Sequence, residues 1–195
     1  MSFPLFMLDI VIPNNNEQKL LEMAHRLGFK QLLFLYSRST PPPATELPLK
    51  VMTGVIVTKP TQHHQNFITV AKSSIQDRAF LEHKQPTLMY DFELTEKPDT
   101  MHQRTSGLNH VLCTLAAGKT SVYFSFRTIL TVPYTPKILG RIMQNIKLCR
   151  KYKVHMGIAS FATDPFHMRS PHDLKSYFAL LGMRPEEQKN AFMLS

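Results

Sequence analysis

The chain has 195 residues, of which 43% are hydrophobic, and a formal net charge of +9. That length suits one domain with a substantial core, and no apolar run reaches the about 18 residues of a membrane-spanning helix. Cys113 and Cys149, which are distant in sequence, favour free, buried thiols in a reducing cytosol over a disulfide framework.

The excess positive charge lies entirely in the second half of the chain. Residues 1–100 hold 10 basic and 10 acidic side chains, whereas residues 101–195 hold 13 basic and 4 acidic ones. Such a one-sided field attracts polyanions, which could be nucleic acid, an anionic membrane or an acidic protein. A basic surface that serves only solubility is the alternative.

In the first half, strand-like and helical patterns alternate. Apolar runs predict strands at 5–12, 30–37, 51–58, 67–73 and 87–94. The first run lacks a basic segment and a small-residue cleavage site, so we interpret it as a strand and not as a signal peptide. A helix is predicted over 17–28, with Asn14–Asn16 as caps and Gly28 as its end, and a short one near Asp77–Lys84. The segments 39–48, with three consecutive prolines, and 96–106 are predicted loops.

The second half repeats this rhythm. Strands are predicted at 121–126 and 154–160, and helices at 107–117, from Pro136 to about Tyr152, from Ser170-Pro171 to Gly182, and after Arg184. The apolar faces predicted for the first two of these helices consist of Leu108, Val111, Leu112 and Leu115, and of Ile138, Leu139, Ile142, Ile146 and Cys149. The same pattern predicts that Arg141, Gln144 and Lys147 lie mostly on the outer surface.

Repeated strand–helix units predict an α/β fold with a parallel sheet and right-handed crossovers. A barrel and an open doubly wound sheet both satisfy this pattern. About seven strands are predicted, and 195 residues are few for an eight-unit barrel of about 250 residues, so closure could be incomplete. No linker or repeat divides the chain, which predicts a single domain over 1–195.

The usual phosphate-cradling loops and the strained nucleophile turn are absent from the sequence. Candidate metal ligands are Asp9, His63, His64, Asp91 and His110. None of them has the spacing that would place two ligands on one face of a strand, and the adjacent His63 and His64 would point to opposite faces. Hydrogen-bonded or solvated side chains explain these residues better than a metal site does.

Arg127 follows the predicted strand 121–126, at the carboxyl end where α/β folds bind ligands. A guanidinium there can hold a phosphate through two hydrogen bonds, although a structural ion pair is equally compatible. Lys119 precedes the same strand, at its opposite end. The two cations therefore need not share a site.

Two further basic segments favour anion binding. Lys147, Arg150, Lys151 and Lys153 surround a helix C-terminus, where cations gain about 0.3–1 kcal/mol from the helix dipole. Four cations without an acid among them exceed what capping needs, so phosphate contact is a reasonable second role. Arg169 precedes the Ser170-Pro171 helix start, which suits either an anion or a simple cap.

An ordered set of motifs resembles a known family. Gly107-Leu108-Asn109-His110-Val111-Leu112, Ser125-Phe126-Arg127, the segment 148–154, Arg169-Ser170-Pro171-His172-Asp173-Leu174 and Leu180-Leu181-Gly182-Met183 occur in this order. Together they are similar to the barrel-shaped, thirty-kilodalton protein subunit of archaeal and eukaryotic ribonuclease P. The start, Asp9-Ile10-Val11 and 24–29, is also similar, while 30–100 matches weakly. This chain departs from the family in its shorter length, its Pro41–Pro43 loop and its 160–170 segment.

The resemblance implies a TIM-barrel-like subunit that is not itself the catalyst. In that enzyme the RNA subunit uses Mg²⁺ to cut the 5′ leader from precursor tRNA, and the protein binds no cofactor. The implied partners are the ribonuclease P RNA, precursor tRNA indirectly, and a small RRM-like protein subunit. The implied RNA-binding residues are Lys119, Arg127, Arg150, Lys151, Lys153, Arg169 and His110. A metal-dependent barrel phosphoesterase and a purely protein-binding module remain the alternatives.

Overall fold

The computed structural model describes residues 7–60, 67–100, 104–133 and 135–194. These contain one parallel sheet whose strands follow chain order: β1 (Leu8–Val11), β2 (Gln31–Tyr36), β3 (Lys50–Val57), β4 (Ile68–Lys72), β5 (Leu88–Tyr90), β6 (Ser121–Ser125) and β7 (Met156–Ala159). The α-helices are α1 (Glu17–Arg26), α2 (Asp77–Ala79), α3 (His110–Ala116), α4 (Phe126–Thr131), α5 (Thr135–Tyr152), α6 (Pro171–Leu180) and α7 (Pro185–Asn190). The predicted α/β architecture with seven strands is confirmed.

The sheet curls until its first and last strands meet. Val11 forms an isolated parallel bridge with Ala162, just after β7. The Phe161 amide donates to the Ile10 carbonyl at 2.8 Å, and the Ile12 amide donates to the Ala162 carbonyl at 2.9 Å. The result is a nearly closed, TIM-barrel-like fold, and the open doubly wound alternative is wrong because the edge strands are joined.

A buried carboxylate reinforces this seam between β1 and β7. Asp9, which is fully buried, accepts hydrogen bonds from the amide and the hydroxyl of Ser160, both at 2.7 Å. Burial raises the pKa of Asp9 to about 6, and the hydrogen bonds from Ser160 and the Ile10 amide oppose that rise. Asp9 therefore has a structural explanation as a clasp between the two strands.

Strand alternation separates two hydrophobic layers. Side chains such as Leu33, Val70 and Tyr123 fill the barrel interior, while another set packs between the sheet and the helices. At the carboxyl end, the rings of Tyr90 and Phe161 stack with centroids 4.4 Å apart and an interplanar angle of 14°. This stacked pair closes the interior beneath the barrel mouth.

Two predicted strands are shorter than expected because the backbone turns at their carboxyl ends. The predicted strand 87–94 stops at Tyr90, since Asp91 has φ +65° and a 3-10 turn follows over Phe92–Leu94. The predicted strand 121–126 stops at Ser125, whose hydroxyl accepts from the Thr128 amide and caps α4. The short helix 77–84 is confirmed, with a π-helical turn over Phe80–Lys84.

Three side-chain predictions are wrong. Asn16 occupies the N-cap of α1, but its side chain makes no cap bond and instead donates to the Thr163 carbonyl at 2.9 Å. Val111 is 41% exposed, because α3 buries Leu112, Cys113 and Ala116. Arg141, expected on the surface, is 1% exposed and packs under residues 93–99.

Both cysteines are free and buried, as predicted, and they lie on α3 and α5, which pack against each other. Within the four described ranges, no helix has the length and apolarity that crossing a bilayer requires.

Candidate nucleic-acid interface

The parallel sheet gives the barrel two distinct ends, and the predicted RNA-binding residues divide between them. Lys119 precedes β6, and Lys153 precedes the neighbouring β7, so both lie at the amino end. Arg127 follows β6 and Arg169 follows β7, so both lie at the carboxyl end. The expectation that Lys119 and Arg127 occupy opposite ends of one strand is confirmed.

At the amino end, Lys119, Lys151 and Lys153 are all exposed. The Lys151 ammonium lies 5.4 Å from the centroid of the Tyr152 ring, and Lys153 has φ +56° in the turn that leads into β7. None of these lysines forms an ion pair with a described residue. Their charge is therefore free to act on an external anion.

Arg150 lies beside them but is anchored within the protein. Its Nε donates to Glu187 Oε1 at 2.6 Å, and its Nη2 donates to Glu187 Oε2 and to the Gly182 carbonyl, both at 2.7 Å. This pairing lowers the pKa of Glu187 and raises that of Arg150. Arg150 thus ties α5 to α7, and only its Nη1 has no hydrogen-bond partner within the described ranges.

At the carboxyl end, Arg127 is half-buried, and its guanidinium makes no hydrogen bond or ion pair to any described residue. Nearby, Asp91 accepts a hydrogen bond from the Thr128 hydroxyl at 2.6 Å and pairs with Lys72 Nζ at 3.4 Å. Burial raises the pKa of Asp91, while Thr128, Lys72 and Arg127 oppose that rise. These side chains line a cavity of 140 Å³ at the barrel mouth.

Arg169 lies on the same end, at the start of α6. Its Nη1 donates to the carbonyls of Phe166 and Met168 at 2.8 and 2.7 Å, and its guanidinium lies 5.7 Å from the centroid of the Phe126 ring. Ser170 caps α6 by accepting from the Asp173 amide at 3.1 Å, as predicted. The arginine is therefore oriented by its own loop and keeps its Nε and Nη2 donors outside these bonds.

His110 is the exposed first residue of α3 and has no described side-chain partner. Its neighbour Asn109 caps the helix by accepting from the Leu112 amide at 3.0 Å. His110 thus follows β5 at the carboxyl end of the barrel.

The three candidate metal ligands that the structure describes do not form a cluster. Asp9 bonds to Ser160, Asp91 bonds to Thr128 and Lys72, and His110 lies exposed on α3. No group of three His, Cys, Asp or Glu side chains suited to a metal occurs in the described part of the chain. His63 and His64 fall outside the described residues.

Sequence reasoning missed Lys72 and Glu93 at the carboxyl end. Lys72 ends β4 and continues, at a spacing of two residues, the series of interior side chains Ile68 and Val70. This period of two could have identified it. Glu93 is 1% exposed, and burial with repulsion from Asp91 raises its pKa to about 8. No simple pattern predicts Glu93, since it lies in a turn where a strand was expected.

Comparisons with known proteins bear out the resemblance. The chain is similar to "Ribonuclease P protein component 3" of Methanocaldococcus jannaschii, with 25% identity over 96 residues, or 48% of this chain and 41% of that protein. The match thus spans less than half of that relative. No protein-family model matches the chain.

The fold is similar to that of a chain in the cryo-EM structure of archaeal ribonuclease P with mature tRNA. The TM-score is 0.73 at 19% identity, and the match covers 93% of this chain and 85% of that chain. At this identity the likeness establishes the barrel fold.

Proposed function

We propose that this chain is a noncatalytic protein subunit of ribonuclease P that binds and stabilises the catalytic RNA domain. The observation that carries the proposal is the set of cations without carboxylate partners at both ends of a barrel similar to a ribonuclease P chain. These are Lys119, Lys151, Lys153, Arg127 and Arg169. Cleavage of the 5′ leader of precursor tRNA is assigned to the RNA and its Mg²⁺.

The remaining basic residues have supporting roles. Arg150 adds its Nη1 beside the three amino-end lysines, while Glu187 occupies its Nε and Nη2. His110 extends the surface at the carboxyl end. The implied protein partner is the small RRM-like subunit, and the cytoplasm is the proposed location.

Electrostatics explains how such a subunit assists RNA catalysis. Folded RNA brings phosphates together, and their repulsion must be screened by Mg²⁺ or by protein cations. Fixed lysine and arginine side chains release counterions when they bind, and this makes the affinity depend on salt. We therefore expect the RNA to keep its active fold at a lower Mg²⁺ concentration when the protein is bound.

The test is a salt titration of binding to the catalytic RNA domain. About five neutralised phosphates predict a log–log slope near −4. A variant with Lys119→Gln, Lys151→Gln and Lys153→Gln should flatten the slope by about 3 units. The matched control, with Lys19→Gln, Arg26→Gln and Arg38→Gln, removes three exposed charges from the neutral half and should leave the slope unchanged.

Reconstituted precursor-tRNA cleavage provides the functional readout. The protein should lower the Mg²⁺ concentration needed for half-maximal cleavage, and the Lys119/Lys151/Lys153 variant should lose most of that effect. A salt slope near zero would refute the electrostatic proposal. Stoichiometric bound metal with turnover by the protein alone would instead identify a phosphoesterase.

A further inference from the structure

We propose that Lys72 and Arg127 form a pocket at the carboxyl-end mouth of the barrel that clamps a single phosphate group of the bound RNA. This inference rests on the proposed function for the source of the phosphate, but the pocket itself is defined by its geometry. Lys72 adds to the cations expected from the sequence, although it comes from the half of the chain without net charge.

The sheet topology places Lys72 and Arg127 at the same end of the barrel. Lys72 is the last residue of β4, and Arg127 follows Ser125, the last residue of β6. Between these strands lies β5, with Tyr90 in register with Lys72. Lys72, Tyr90 and Arg127 all line the 140 Å³ cavity.

The cavity is large enough only for a small ligand. Pockets for drug-sized molecules usually enclose about 300–1,000 Å³, which is more than this cavity offers. The stacked rings of Tyr90 and Phe161, 6% and 1% exposed, form its floor and separate it from the barrel interior. A group of the size of a phosphate can therefore enter only from solvent, over an apolar base that strengthens its attraction to the cations.

Two donor groups in this cavity, the Arg127 guanidinium and the Tyr90 hydroxyl, have no hydrogen-bond partner among the described residues. A guanidinium has five N–H donors in a planar fork that matches phosphate oxygens, and that of Arg127 bonds to no described residue. The Tyr90 hydroxyl also has no described hydrogen-bond partner, and burial raises its pKa, which keeps it a protonated donor. Lys72 makes one ion pair, and its side chain remains 55% exposed.

The local charge balance remains positive. The negative charge of Asp91 offsets one of the two cations. Its carboxylate is held in place by the hydrogen bond from the Thr128 hydroxyl and by the ion pair with Lys72. Glu93 is buried and does not line this cavity, and burial raises its pKa, so it cancels little of the remaining charge. The pocket thus holds a net charge of about +1 for an incoming oxyanion.

The first test uses inorganic phosphate and the full chain. Phosphate should shift the Arg127 Nε–H NMR resonance in a saturable way. Lys72→Gln and Arg127→Gln should each weaken phosphate binding by about tenfold. Arg127→Lys keeps the positive charge but loses the planar donor fork, so its phosphate affinity should lie between that of these two variants and that of the wild type. The double variant Lys19→Gln/Arg38→Gln is the matched control.

The second test uses the catalytic RNA domain. If Lys72 and Arg127 share one phosphate, the losses of RNA affinity in the two single variants should not add in the double variant. The salt slope of the double variant should then flatten by about 1 unit rather than 2. RNA should also compete with inorganic phosphate for the Arg127 resonance. Thermal unfolding of each variant confirms that the fold is kept.

The outcomes separate this inference from the proposed function. If the wild type binds RNA but the double variant matches its control in both phosphate and RNA binding, the pocket is refuted and the proposed function stands. If phosphate binding depends on Lys72 and Arg127 but the wild type binds no RNA, the pocket stands and the proposed function fails. Loss of phosphate binding with unchanged RNA affinity would overturn the assignment of this phosphate to RNA.

Discussion

Gly157 on β7 lies directly against the ring of Tyr123 on β6. A Cβ atom at position 157 would lie 2.2 Å from Cζ of that ring, closer than any real contact. The ring cannot easily move away, since Tyr123 is 1% exposed and its hydroxyl donates to the Met193 carbonyl at 2.8 Å. The absence of a side chain at Gly157 is therefore what lets a tyrosine fill the barrel interior.

Gly157→Ala should lower the free energy of unfolding by about 3 kcal/mol, because the interior has no room for the added methyl group. Gly140 in α5 provides a matched control. A Cβ there would also meet an atom at 2.2 Å, but that atom belongs to Arg104, whose side chain is 51% exposed and can move. Gly140→Ala should be neutral or stabilising by up to about 1 kcal/mol. Urea denaturation measures both, and equal losses would contradict the explanation.

Arg141 and Arg104 both contact Asp99, but only Arg141 is buried. Arg141 donates to Asp99 Oδ1 at 2.9 Å and to the carbonyls of Glu93, Thr95 and Lys97 at 2.8, 2.8 and 2.6 Å. Arg141→Met should cost about 3–5 kcal/mol of unfolding free energy, since it leaves these acceptors without a donor.

Arg104→Met should cost less than about 1 kcal/mol, because the Arg104–Asp99 distance is 4.0 Å and the arginine is half-exposed. Chemical denaturation of both variants makes the comparison. A small loss for Arg141→Met would show that residues 93–99 do not depend on this side chain.

Glu93 should make stability depend on pH near neutrality. Its pKa is about 8 in the folded chain against an ordinary 4.5, so the folded state retains a proton that the unfolded state loses. The contribution of Glu93 to stability is then greatest below pH 4.5 and falls as the pH rises towards 8, by at most about 1.4 kcal/mol per pH unit. Glu93→Gln should remove this slope, which denaturation curves at several pH values would reveal. An unchanged slope in the variant would assign the pH dependence to another group.

The Arg150–Glu187 ion pair should have two effects: it stabilises the fold, and it weakens RNA binding. Arg150→Gln and Glu187→Gln should each lower the unfolding free energy by about 1 kcal/mol, since both side chains are partly exposed, and the double variant should lose less than the sum. Glu187→Gln should also tighten RNA binding, because it removes a negative charge and releases the Arg150 fork. RNA titration at low salt checks this, and weaker binding would refute the restraint.

Regular patterns allowed most of the barrel to be predicted from the sequence. The alternation of apolar strands with helices predicted all seven strands, and Ser170-Pro171 predicted the start of α6. The errors occur where a single backbone angle or a tertiary contact overrides a pattern. Asp91 ends β5 through a positive φ that its strand-like neighbours do not indicate.

The candidate site was less predictable because its chemistry depends on partners distant in sequence. Arg150 and Lys151 are adjacent and look equivalent, but only Arg150 meets Glu187, 37 residues later. Arg141 looked like a surface residue by helical period, yet the turn after β5 lies over it and supplies its acceptors. Such long-range pairs leave no local signal.

The clasp between Asp9 and Ser160 has a consequence for how the protein is made. It joins positions 151 residues apart, so the entropy of closing that loop opposes its formation until late. At about 5–20 residues per second, a ribosome needs roughly 8–30 s to synthesise the second partner after the first. During that time the incomplete sheet has an edge strand without a partner. The barrel can close only after β7 and Ser160 have been synthesised.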